Sequence, residues 1–195
     1  MQTQIQNTVT VHIRNMCCQR CVDAVNDELF KLNVKVDFVK LGEATYRTNS
    51  SVTETEIRAS LNKRGFEVIK SKEDIVVEEV RTAVFSLFAG PNEASRDKVP
   101  LSEYLSERAR MPYRNISETF KKQKGISVEK YVILQRIEKV KDLIENSAMQ
   151  FLEIAEATGY RSLQHLSTQF KNVTGMTMQQ FKRSFTKERV FIDMI

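Results

Sequence analysis

Apolar and polar side chains alternate near the start of the chain, where Val9, Val11 and Ile13 interleave with Thr10, His12 and Arg14. A period of two predicts a strand with one buried face. From Cys21 to Asn33 the period changes, and Val22, Val25, Leu29 and Leu32 fall on one stripe of a helix. Val34 to Leu41 and Ala44 to Thr48 predict two further strands, joined at Gly42-Glu43. Thr53 and Glu56 have the spacing of a capping box, and the helix they open runs through Ile57 and Leu61 to a stop at Gly65. Phe66 to Ile69 adds a last strand. The order β-α-β-β-α-β predicts a ferredoxin-like α+β domain over residues 1–73. A helix from Asp74 to Leu87 follows, with Val77, Val80, Val84 and Leu87 on one stripe, and Ala89-Gly90-Pro91-Asn92 reads as a linker, so residues 74–98 form a connecting segment. The Val77–Leu87 stripe offers two uses, packing on its own domain or pairing two chains as a homodimer.

Residues 99–195 read as an all-α domain. Within it one pattern occurs twice. Ile116-Ser117-x-x-Phe120-Lys121-x-x-x-Gly125-Ile126-Ser127 returns as Leu166-Ser167-x-x-Phe170-Lys171-x-x-x-Gly175-Met176-Thr177, and Tyr131 and Phe181 extend the match at the same spacing. Each copy is an amphipathic helix closed by Gly and preceded by a shorter helix: Leu101, Tyr104 and Leu105 before the first, Phe151, Ile154 and Ala155 before the second. Such duplication predicts two helix-turn-helix units. A long helix through Tyr131, Leu134, Ile137, Val140 and Ile144 joins them.

In the first copy Tyr113, Ile116 and Phe120 face inward, which turns Arg114, Ser117, Glu118 and Lys121 towards a partner. In the second, Leu166, Phe170 and Val173 face inward and Arg161, Gln164, Thr168 and Lys171 lie on the opposite arc, with Ser162 placed to cap the helix. These residue types suit double-stranded DNA. Arg and Gln can pair bidentately with guanine and adenine, Lys can neutralise phosphate, and a capped helix start offers donors to a phosphate. Glu118 repels phosphate but can accept from a cytosine amino group.

Charge sharpens this reading. Residues 1–90 carry 12 Lys and Arg against 12 Asp and Glu, whereas residues 91–195 carry 18 against 13. All of the formal net charge of +5 therefore lies in the half with the repeat, where it can displace counterions from a nucleic-acid backbone. The chain shows no basic and apolar leader at Met1-Gln2-Thr3-Gln4 and no run of about 20 apolar residues, so a cytoplasmic protein without a membrane span is expected. With 2 His and 6 Gly and no Ser/His/Asp set, paired-carboxylate motif or phosphate-cradling loop, an enzyme is not expected.

The segment Ile154-Ala155-x-x-x-Gly159-Tyr160-x-Ser162-x-x-His165-Leu166-Ser167-x-x-Phe170-Lys171-x-x-x-Gly175-Met176-Thr177 resembles the signature of AraC/XylS-type transcription regulators, and the likeness extends over about residues 99 to 185. It implies a seven-helix domain with two recognition helices entering adjacent major-groove segments. The chain departs from the pattern at Glu118 and Thr168, where many relatives have Arg, and at Met178, where they have Pro.

All three cysteines lie in Met16-Cys17-Cys18-Gln19-Arg20-Cys21, where the first strand meets the first helix. An odd, clustered set is not a disulfide framework. Cys18 and Cys21 form a C-x-x-C at a helix N-terminus, which favours thiolate, and soft thiolates suit Cu(I) or Zn(II). Cys17 is a candidate third ligand. The loop resembles the M-x-C-x-x-C of heavy-metal-associated domains over about residues 8 to 72, with Asn15 replacing a usual Gly, and the likeness implies a metal ion as ligand. Thiol oxidation and disulfide exchange are the competing uses of the same residues. His12 is expected on an exposed strand face rather than as a ligand, and Met16 in the core. Two functions follow: a sequence-specific regulator that responds to soft metal or thiol oxidation, or a metal-trafficking or metal-buffering protein with a helical docking module.

Overall fold

The computed structural model describes residues 7–48, 52–88 and 100–184. The chain divides into two compact units, Met1–Thr82 and Ala83–Ile195. This boundary falls within a helix. The expected linker at Ala89-Gly90-Pro91-Asn92 lies outside the described residues.

The first unit contains β1 (Asn7–Arg14), α1 (Gln19–Lys31), β2 (Lys35–Lys40), β3 (Glu43–Thr48), α2 (Glu54–Lys63), β4 (Glu67–Ile69) and the start of α3 (Lys72–Phe88). The strands form one antiparallel sheet in the order β2-β3-β1-β4. Alternation along β1 sends Val11 and Ile13 to one face, where they pack with Ala44, Tyr46 and Val68, with Val25 and Leu29 of α1, and with Ile57 and Leu61 of α2. Met16 joins this core at 4% exposure. The capping box of α2 is formed: the Glu56 backbone N–H donates to Thr53 Oγ1 (3.3 Å) and the Thr53 N–H to Glu56 Oε2 (2.8 Å).

On the opposite face Thr10 and Thr45 share a hydroxyl hydrogen bond of 2.9 Å. Here α3 approaches the sheet. Ser71 Oγ accepts from the Asp74 N–H at 3.1 Å to start the helix, and Arg14 of β1 donates to Asp74 Oδ1 at 2.9 Å. Val76, Val77, Val80, Ala83 and Val84 are all buried. Much of the stripe that offered a pairing surface is thus covered by the chain itself. Burial also outweighs the modest helix propensity of this β-branched run. Gly42, with φ +83°, lets the β2–β3 turn come close to α3, because a Cβ there would meet Thr82 Cγ2 at 3.2 Å.

The second unit contains α4 (Leu101–Ala109), α5 (Tyr113–Lys124), α6 (Val128–Asn146), α7 (Phe151–Ala157), α8 (Leu163–Thr174) and α9 (Met178–Arg183). The resemblance implied seven helices; residues 100–184 hold these six. The repeat is a repeat in three dimensions. Ile116 and Leu166 are fully buried, as are Phe120 and Phe170. Phe120 packs on Tyr131 with ring centroids 5.2 Å apart, and fifty residues later Phe170 packs on Phe181 at 5.6 Å. Both long repeat helices end at a left-handed glycine, Gly125 (φ 73°) and Gly175 (φ 76°), and both successors are capped by a hydroxyl, Ser127 on the Lys130 N–H and Thr177 on the Gln180 N–H, each at 3.2 Å.

Candidate nucleic-acid interface

Two helix pairs carry the candidate residues, α4 with α5 and α7 with α8. The turns between them differ. In the first, α4 ends at Arg110 in the left-handed region (φ 52°) and Pro112 precedes α5 without a side-chain cap. In the second, Gly159 takes the left-handed place (φ 70°), Tyr160 is buried, and Ser162 Oγ accepts from the His165 backbone N–H at 3.2 Å to cap α8.

Around α8, burying Leu166 and Phe170 leaves Gln164, Thr168 and Lys171 exposed, as a 3.6-residue period requires, and Arg161 and Ser162 are exposed in the turn before the helix. Thr168 Oγ1 donates back to the Gln164 carbonyl at 2.9 Å, which ties its hydroxyl to the helix. Val173, assigned to the inward stripe, is half-buried. His165 stands exposed, with its ring edge-on to Tyr160 at 5.3 Å. No acidic residue occurs in α8.

The outer arc of α5 is organised differently. Arg114, Glu118 and Lys121 are exposed and Ser117 is half-buried, donating to the Arg114 carbonyl at 3.0 Å. Arg114 Nε donates to Glu118 Oε1 at 2.8 Å, one turn along the same helix. This pair neutralises the guanidinium that the sequence offered as a base reader. At 85% and 63% side-chain exposure it is a weak bond that water or a nucleic acid can replace. Tyr113 also differs from expectation. Half-buried, it donates its hydroxyl to Glu129 of α6, which lowers the Glu129 carboxyl pKa.

One supporting residue carries no signal in the hydrophobic pattern. Arg136 of α6 lies with its guanidinium 5.3 Å from the Tyr160 ring centre and 5.8 Å from that of Phe88. It thus stacks against the aromatic residue of the second turn. Tyr160 in turn donates its hydroxyl to Gln169 Oε1 at 2.7 Å, and burial pushes its pKa up to about 12. The turn that presents Arg161 and Ser162 is therefore held from two helices. The only hint in the sequence was an Arg on the long helix, which gives no partner.

Residues 105–184 match the family model of a helix-turn-helix domain. That segment is a helix-turn-helix domain. The chain is 28% identical over 114 residues to YdiP of Escherichia coli K12, described as an uncharacterized HTH-type transcriptional regulator, and the match takes in 58% of this chain. The chain spans 35% of that curated relative's length. Among solved structures, the C-terminal domain of the two-component response regulator yesN from Fusobacterium nucleatum is 26% identical, with a TM-score of 0.46, covering 54% of this chain and 96% of that one. The C-terminal domain of the response regulator AraT from Geobacillus stearothermophilus is 23% identical, with a TM-score of 0.47, covering 60% of this chain and 93% of that one.

Away from this helix-turn-helix domain, the three cysteines come together in the first unit. Cys18 Sγ lies 3.7 Å and Cys17 Sγ 3.8 Å from Cys21 Sγ, and all three are free. Two sulfurs bound at about 2.3 Å to one tetrahedral ion stand about 3.8 Å apart, so the spacing fits a shared ion of Zn(II) type. Asn15, with φ 73°, turns the loop by adopting the left-handed conformation and donates its side-chain amide to the Gly65 carbonyl at 2.9 Å. Backbone N–H groups of Cys21 and Arg20 contribute to holding the Cys18 thiol below its usual pKa, while desolvation and the nearby Cys21 and Cys18 sulfurs push Cys17 up to about 12.

Proposed function

We propose that this protein is a sequence-specific, DNA-binding transcription regulator in which α5 and α8 enter the major groove. The observation that carries the reading is the match of residues 105–184 to a helix-turn-helix domain, on helices whose polar arcs are exposed. In this reading Gln164 and Arg161 contact base edges, Lys121 and Lys171 neutralise phosphates, and Ser162 and Thr168 position α8 on the backbone. Arg114, Ser117 and Glu118 form the corresponding face of α5. Gel shifts of genomic fragments test this. Protein-bound bands that weaken as salt rises are expected, and absence of any bound DNA at low salt refutes it.

We read the N-terminal unit as ferredoxin-like and as the sensing part, with Cys18 and Cys21, joined by Cys17, holding Cu(I) or Zn(II). The 3.7 and 3.8 Å sulfur spacings and the lowered Cys18 pKa support this use. The same three sulfurs also favour a second reading, a metal-trafficking or metal-buffering protein that uses its helices for docking. One titration separates the two: metal binding that is lost in Cys18→Ser/Cys21→Ser and changes DNA affinity supports sensing. Stoichiometric metal with no DNA affinity supports trafficking.

A further inference from the structure

His12 was expected on an exposed strand face. It is instead half-buried beneath α3, in company with two carboxylates. His12 and Glu43 are register partners across β1 and β3. Glu79 reaches the same place from α3 and is only 8% exposed. One ligand atom from each of the three, an imidazole nitrogen and two carboxylate oxygens, lies within 4.8 Å of the others. Lys40 meets Glu43 Oε2 at 3.2 Å from the solvent side, where its own side chain is half exposed.

We propose that His12, Glu43 and Glu79 form a binding site for a divalent first-row transition ion, separate from the cysteine loop. Two arguments support it. The donor set, one imidazole and two carboxylates, suits borderline ions such as Zn(II) and leaves positions for water, unlike the soft thiols of the loop. The three donors also come from three separate elements whose approach is set by the backbone. Gly42 lets the β2–β3 turn reach α3, where a Cβ would meet Thr82 Cγ2 at 3.2 Å, and Thr82 Oγ1 donates to the Glu78 and Glu79 carbonyls at 2.9 and 3.3 Å. An ion here bridges β1 and β3 to α3, the helix that continues past Thr82 to Phe88.

The test uses the full chain carrying Cys17→Ser, Cys18→Ser and Cys21→Ser, which removes the thiols from competition. Isothermal titration with Zn(II) is expected to show one ion per chain. Glu79→Gln, which keeps the side chain's shape, and His12→Asn should each weaken binding by at least about tenfold. Because the chain has only two histidines, imidazole nitrogen NMR reads the site without touching the ligands. Zn(II) should shift His12 and leave His165 unmoved. No Zn(II) binding by the thiol-free chain overturns the proposal. So does binding that Glu79→Gln leaves unchanged, or a shift at His165 in place of His12.

Discussion

Glu28 joins the two helices on one face of the sheet. Its carboxylate accepts from Lys31 Nζ at 2.7 Å, from Ser60 Oγ at 2.7 Å and from Arg64 Nε at 3.0 Å, so α1 is tied to α2 through one side chain. These hydrogen bonds, led by the one from Lys31, lower its pKa to about 2. A carboxyl depressed in the folded state adds stability at pH values above its unfolded pKa and loses that contribution as pH falls through the folded one. The N-terminal unit should therefore lose stability as pH drops from about 4.5 towards 2, and Glu28→Gln should flatten that part of the profile. Urea unfolding followed at several pH values measures it; identical slopes for both proteins contradict the role given to Glu28. Glu118 makes the matching point in α5. It engages Arg114, and in the proposed DNA-bound arrangement it would bring negative charge towards phosphate. Glu118→Gln should tighten DNA binding at low salt by about twofold to fivefold, since exposed charges of this kind are worth under about 1 kcal/mol. Fluorescence anisotropy on a bound fragment reads the change, and weaker binding by the variant would show that Glu118 accepts a hydrogen bond from a base.

At the scale of elements, turns and caps decide where helices start and how closely they approach. Gly42 illustrates both, with a positive φ and Thr82 Cγ2 in the path of any Cβ. Gly42→Ala should destabilise the unit by about 1–3 kcal/mol, measured by chemical denaturation, with a near-neutral result contradicting the close approach. Such devices were partly legible. Thr53 with Glu56, and Gly125 with Gly175, announce helix ends because capping depends on residues three or four apart. The buried pairs Ile116/Leu166 and Phe120/Phe170 were legible because each repeats the spacing of an amphipathic helix. What escaped were pairings over long stretches of chain. Nothing near His12 foretells Glu79, and nothing near Arg136 foretells Tyr160. Arg114 and Glu118 are four residues apart and stood in view, yet reading both as DNA contacts overlooked the ion pair that their spacing permits.

At the scale of the whole chain, charge is balanced over residues 1–90 and positive over residues 91–195, which suits the proposal that the second unit meets a polyanion. No described helix is long and apolar enough to cross a membrane. The central claim is that α5 and α8 each read bases, and selection of bound sequences from a random duplex library addresses it directly. Wild-type protein should enrich one extended motif. Arg114→Ala should relax preference at one set of base positions and Gln164→Ala at another, each substitution altering specificity at the positions its helix contacts. Absence of any enriched motif, or loss of preference at the same positions in both variants, would contradict the account.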